Sequence, residues 1–194
     1  MNSKKIALIG SGQIGGTLAL LASQRNFGKI ILLDNFVGSA MGKSLDLAQM
    51  SSLNNNDTHF TASNDYKDIK DADVCIITAG FPRKDAMRRE DLLANNIQVI
   101  KDVAQGIKTY APSSFVIMIT NPLDVMVYLF QKFSNLPTNK VVGMAGVLDS
   151  ARFKTFIAEE LGVSKKDVNA LVLGAHSDDM VPLRSEEHTS ELQS

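Results

Sequence analysis

His176 has the surroundings most suited to chemistry. It lies in Gly174-Ala175-His176-Ser177-Asp178-Asp179, directly after the apolar run 168–173. A strand there would deliver an imidazole, flanked by small and acidic residues, to the end of a sheet. Near neutral pH such a ring can both give and take a proton. A carboxylate on one ring nitrogen would orient it, and Asp149 is the candidate. Residues 146–153 open a helix that runs towards Leu161, in which Asp149 and Arg152 stand at i and i+3 and share a face. An intrahelical ion pair of small value is the competing reading of that spacing.

Two more segments carry groups suited to a small anion. Arg83, Lys84, Arg88 and Arg89 crowd one short stretch, and guanidinium forks match carboxylates bidentately. A solvated charged loop would also explain them. Asn121-Pro122 follows an apolar run. The asparagine there can hydrogen-bond a substrate oxygen or a ribose, and its bond to proline is free to be cis. An ordinary strand-ending turn fits that segment equally well.

What would position these groups begins at the N-terminus. Residues 6–9 are a short apolar run suited to a strand buried on both faces. It meets Gly10-Ser11-Gly12-Gln13-Ile14-Gly15, a G-x-G-x-x-G, and residues 14–21 then follow a helical pattern. In that context Gly10 takes a tight turn, Gly12 lets a pyrophosphate approach the backbone, and Gly15 lets helix pack on strand. The helix N-terminus offers N–H groups to phosphates. A second strand, 29–33, ends in Asp34, about 20 residues beyond the glycines, where an acid binds the ribose hydroxyls of NAD and repels the extra phosphate of NADP.

Further along, helices are expected over 41–53, 95–110 and 124–133, and a short polar one over 66–72. Strands are expected over 59–62, 74–78, 115–119 and 141–142. Strands alternating with helices, without hairpin signals, indicate a doubly wound parallel sheet of Rossmann type, with ligands gathered at the strands' carboxyl ends.

The chain has 194 residues, 44% of them hydrophobic, and a net charge of −1. No basic excess points to nucleic acid or an anionic membrane, and no apolar run is long enough to span a bilayer. A single cysteine, Cys75, within an apolar run, excludes an internal disulfide. A cytoplasmic location is the default for such a composition. Three histidines and one cysteine without ligand spacing argue against a metal site.

Taken together, GSGQIG, ITAGFPRKDAMRREDLL, ITNPLDVMVYL, GMAGVLDSARF and LVLGAHSDDMVPL resemble the NAD-dependent malate dehydrogenases of the lactate dehydrogenase-like type. The likeness runs in the family's order from about Lys4 to Leu183. It implies that His176 is the acid/base, Asp149 its orienting partner, and Arg152 the anchor of the carboxylate beside the reacting carbon. Arg89 would polarise the carbonyl from a mobile loop, and Arg83 would grip the second carboxylate and so select a dicarboxylate over lactate. Asn121 would lie near substrate and cofactor. The resemblance further implies NAD contacts from Gly10, Gly12, Gln13, Ile14, Gly15, Asp34, Asn96 and Asn121, a malate or oxaloacetate substrate, and a homo-oligomer when full length. Lactate or other 2-hydroxyacid dehydrogenases remain an alternative, as does an NAD-binding fragment without catalysis. An NAD-dependent glycosidase of related fold would need a metal-binding cysteine and histidine pair, for which Cys75 is badly placed.

Some positions depart from the family pattern. Asp85-Ala86 and Arg88 alter the loop. Ser177 replaces a usual glycine, which would strain the backbone if φ there had to be positive. Asp179 is a further variation. The expected organisation is an NAD-binding domain over 1–144, the start of an incomplete α+β substrate domain over 145–183, and a foreign tail over 184–194. That tail lacks an apolar period and reads like the in-frame translation of a sequencing adapter. The helix from Asp149 and the strand to Leu173 are then expected to expose Phe153, Phe156, Ile157, Val168 and Leu171, whose partners would lie further along the family's chain.

Overall fold

A computed structural model describes residues 4–81 and 89–183, with side chains for all of these except 89–92. The chain divides between Gly143 and Met144 into two compact units.

In the first unit, strands β1 (Lys5–Ile9), β2 (Lys29–Leu33), β3 (Phe60–Ser63), β4 (Val74–Ile77), β5 (Phe115–Met118) and β6 (Val141–Gly143) alternate with helices. These are α1 (Gln13–Gln24), α2 (Val37–Leu53), α3 (Arg89–Tyr110) and α4 (Leu123–Ser134). The strands form one parallel sheet in the order β3-β2-β1-β4-β5-β6. The order reverses between β1 and β4, which opens a crevice at their carboxyl ends. Right-handed crossovers running in opposite lateral directions put α1 and α2 on one face and α3 and α4 on the other.

Both faces bury apolar side chains, which is why β1, β2, β4 and β5 read as hydrophobic runs. Ile6, Leu8, Ile30 and Leu32 pack with Ala19 of α1 and with Ala40 and Leu47 of α2. The residues of opposite parity, among them Ala7, Ile31, Cys75 and Ile77, are buried as well. On the helices that flank them, Ile100, Val103 and Ile107 of α3 and Met126 and Phe130 of α4 are also buried.

The differences from the sequence reading lie at element ends. Helix α2 begins at Val37 rather than residue 41, and α3 at Arg89 rather than 95. The segment expected as a helix over 66–72 is a 3-10 turn, Tyr66–Ile69, held by the Asp65 side chain accepting from Lys67 N.

The second unit contains α5 (Gly146–Leu161), closed by Gly162 at φ +65. The strand expected over 168–173 is reduced to β7 (Val172–Leu173), which pairs antiparallel with β8 (Val181–Pro182). Val168 is buried, Phe153 and Ile157 are half-buried, and only Phe156 and Leu171 of the expected patch are exposed.

Candidate functional site

At the end of β1 the chain turns through Gly10, whose φ of +102 is a conformation L side chains rarely adopt. A Cβ at Gly15 would lie 2.0 Å from the Gly10 carbonyl oxygen, so α1 rests directly on the turn. At Gly12 a Cβ would meet nothing within 4 Å. Gly12 is the N-cap of α1 and, being glycine, makes no side-chain cap bond. The helix's first-turn N–H groups therefore face a space that a phosphate can enter. Gln13 and Ile14 are exposed beside it.

Asp34 stands at the end of β2. Its Oδ2 accepts the Ser11 N–H at 2.6 Å and the Ser11 hydroxyl at 2.8 Å, and its Oδ1 accepts the Phe36 N–H at 2.9 Å. A carboxylate has about four acceptor positions, so one on Oδ1 is left for a ribose hydroxyl. Burial would raise the carboxyl's pKa, but the bonds from Ser11 and Phe36, with the charge of Lys43, hold it below the ordinary value. Ser11, Gly12, Asp34, Phe36, Gly38 and Ser39 line a cleft of about 620 Å³. A larger cleft, about 740 Å³, opens against Lys4, Ile6, Val74 and Ile117, away from the glycine turn, Asp34 and Asn121. Size alone therefore does not mark the site.

Asn96 is 1% exposed. Its Oδ1 accepts the Phe81 N–H and its Nδ2 donates to the Asn121 carbonyl, both at 2.8 Å. The residue expected to touch the cofactor thus spends its amide tying the loop after β4 to the loop after β5. Thr120 adds a second tie by donating to the Ala79 carbonyl at 2.7 Å. Asn121 is exposed at the end of this braced segment, and its bond to Pro122 is cis. Arg83 lies outside the described residues, and so do Asp85, Ala86 and Arg88. Arg89 opens α3, but its side chain is likewise outside them.

In the second unit the expected pairing is present. His176 Nδ1 lies 2.7 Å from Asp149 Oδ2, and Arg152 Nη1 lies 3.5 Å from Asp149 Oδ1. Asp149 is buried, the imidazole is 22% exposed, and Arg152 reaches solvent. Helix α5 supplies the acid. β7, turned by Gly174 at φ +95, supplies the base two residues later. Ser150 sets the distance between them, because its hydroxyl accepts the Val172 N–H at 2.9 Å and so docks β7 on α5 beside Asp149. Nothing in the sequence marked Ser150. Ser177 is not among the residues with positive φ, so the strain considered there is absent. A histidine anchored through Nδ1 presents Nε2 for proton exchange.

Cys75 is buried, and burial pushes its thiol up to about 11. Among the described residues no three of His, Cys, Asp and Glu converge as metal ligands. Among them, too, no helix is long and apolar enough to cross a membrane.

Known proteins match the chain along most of its length. Residues 4–143 match the family model for the lactate/malate dehydrogenase NAD-binding domain. Residues 146–191 match that for the lactate/malate dehydrogenase alpha/beta C-terminal domain, a match that enters the tail expected to be foreign. A malate dehydrogenase of Methylobacterium radiotolerans is 58% identical over 183 residues, covering 94% of this chain and 57% of the relative. Among solved structures, Cryptosporidium parvum malate dehydrogenase aligns with a TM-score of 0.89 at 48% identity, over 93% of this chain and 57% of that one. Eimeria maxima lactate dehydrogenase, solved with NADH and oxamate, aligns at 0.88 and 45%, over 94% and 56%. The chain therefore spans little more than half the length of the relatives it matches.

Proposed function

Because this chain belongs to the lactate/malate dehydrogenase family, we propose that the complete protein interconverts malate and oxaloacetate with NAD. The observation that carries the reading is the His176–Asp149 pair, 2.7 Å apart, with the acid buried. When bound, the cofactor would supply hydride chemistry, NAD as acceptor from the alcohol carbon and NADH as donor to the carbonyl carbon. Gly10, Gly12, Gln13, Ile14 and Gly15 present the turn and helix end to its phosphates. Asp34 offers the remaining acceptor on Oδ1 to a ribose hydroxyl, and Asn121 would hydrogen-bond the nicotinamide ribose or a substrate oxygen.

The chain's own groups handle the proton and the carboxylates. His176 takes the hydroxyl proton of malate on Nε2 and gives it back to the carbonyl oxygen of oxaloacetate. Asp149 fixes the ring's orientation and stabilises the cation formed in between. Arg152 binds the carboxylate beside the reacting carbon. Arg89 stabilises charge developing on the carbonyl oxygen, and Arg83 binds the second carboxylate. The enzyme acts in the cytoplasm as a homo-oligomer, with an NAD-binding domain over 1–144 and a substrate domain from 145. No nucleic acid or membrane takes part.

A lactate-type reading is kept in view by the Eimeria maxima likeness. The test is loss of NADH absorbance by the complete protein with oxaloacetate and with pyruvate. At least tenfold higher kcat/KM on oxaloacetate is expected. A preference for pyruvate would replace this reading with the lactate one.

A further inference from the structure

Lys43, on α2, belongs to no part of the glycine motif, yet it is bonded to it. Its Nζ donates to the carbonyl oxygens of both Ser11 and Gly12, the latter at 2.8 Å. Its stem runs along Gly16, where a Cβ would lie 3.3 Å from Lys43 Cδ. The missing side chain at Gly16 leaves the lane through which the lysine reaches the turn.

The consequence follows from the planar trans peptide. The N–H of each residue points opposite to the carbonyl of the residue before it. Holding the Ser11 and Gly12 carbonyls on the α2 side aims the Gly12 and Gln13 N–H groups to the other side. The Gly12 carbonyl also accepts the Gly16 N–H at 3.0 Å, so it is held by the helix and the lysine together. Asp34 secures the opposite end of Ser11 through its N–H and hydroxyl. Ser11, 1% exposed, is thus fixed between an anion and a cation from two different elements.

We propose that Lys43 is a positioning residue for the cofactor's pyrophosphate, clamping two carbonyls of the glycine turn so that the Gly12 and Gln13 N–H groups are aimed before the ligand arrives. The inference rests on the cofactor reading above and adds to it a residue outside the motif. A preorganised donor pair spares the ligand the cost of ordering the turn.

The test uses the complete protein and its Lys43→Met, Lys43→Gln and Lys43→Arg variants, with NADH affinity read by fluorescence and with ADP and adenosine as competitors. Lys43→Met should weaken NADH and ADP about tenfold, the order of one charge-assisted hydrogen bond, and leave adenosine within twofold. Lys43→Arg, with two donors in reach, should stay near wild type, and Lys43→Gln, a neutral donor, should fall between. In turnover, KM for NADH should rise in Lys43→Met while kcat at saturating NADH holds. Unchanged ADP affinity in Lys43→Met overturns the proposal, and so does an equal loss for ADP and adenosine. Lys43→Gln as weak as Lys43→Met would reduce the effect to charge and overturn the clamp. Wild-type protein that binds neither NADH nor ADP would instead remove the cofactor reading beneath it.

Discussion

Replacing Asp34 by serine should shift cofactor choice from NADH towards NADPH, and the structure sets the size of the shift. The carboxylate has one acceptor position left on Oδ1 for a ribose hydroxyl, the others being taken by Ser11 and Phe36. A hydrogen bond to a charged group is worth about 1.5–3 kcal/mol, and NADH loses that much. Two unit charges about 4 Å apart near a protein surface repel by about 1–4 kcal/mol, and NADPH is relieved of that much when the carboxylate goes. The lower ends sum to about 2.5 kcal/mol, a change of about 60-fold in the ratio of kcat/KM values. The substitution also removes the acceptor that holds Ser11, which loosens the turn for both cofactors, but that common factor cancels in the ratio. The assay is initial-rate oxaloacetate reduction with NADH and with NADPH, for wild type and Asp34→Ser. A ratio that moves less than about threefold would refute the role given to Asp34.

The same carboxyl predicts a pH dependence of stability. Its pKa is lowered in the folded protein, so its stabilising contribution is complete above the unfolded value and is lost as pH falls through the lowered one. The urea-unfolding gap between wild type and Asp34→Asn should therefore be constant from pH 7 to about 5 and shrink below about 4; a gap that widens on acidification contradicts this. Gly15→Ala places a Cβ 2.0 Å from the Gly10 carbonyl oxygen and should destabilise by about 3 kcal/mol or more, whereas a loss below about 0.5 kcal/mol would mean that α1 does not rest on the turn. Arg83→Gln should lower the oxaloacetate-to-pyruvate ratio of kcat/KM by about tenfold or more; an unmoved ratio makes Arg83 a loop charge only.

What could be read without the structure was whatever local pattern determines. The parallel sheet was legible because β1 and β2 are buried on both faces and, with β4 and β5, appear as uninterrupted apolar runs. Gly10 and Gly15 were legible because each meets a backbone demand that spacing encodes, a positive φ at Gly10 and a close helix contact at Gly15. Asp149, in the opening of a helix, was the carboxylate expected beside His176, which follows an apolar run, and the two lie 2.7 Å apart.

What escaped was long-range or masked. The first turn of α2 was hidden by Gly38, a poor helix former that packing overrides. Residues 168–173 look like a strand, but among the described residues only Val172 and Leu173 pair with β8, with one further bond from the Leu183 N–H to the Leu171 carbonyl. The inward use of Asn96, the clamp by Lys43 and the spacer role of Ser150 are hydrogen bonds between elements distant in sequence, and no local pattern announces them.

Proton transfer by His176 carries the proposed function. It is tested most directly by the kcat of oxaloacetate reduction for His176→Asn in the complete protein at saturating NADH, with NADH affinity measured alongside. A fall of about 10²–10⁴-fold is expected, the usual contribution of a general acid/base, with NADH affinity within twofold of wild type. A variant that turns over within threefold of wild type would contradict it.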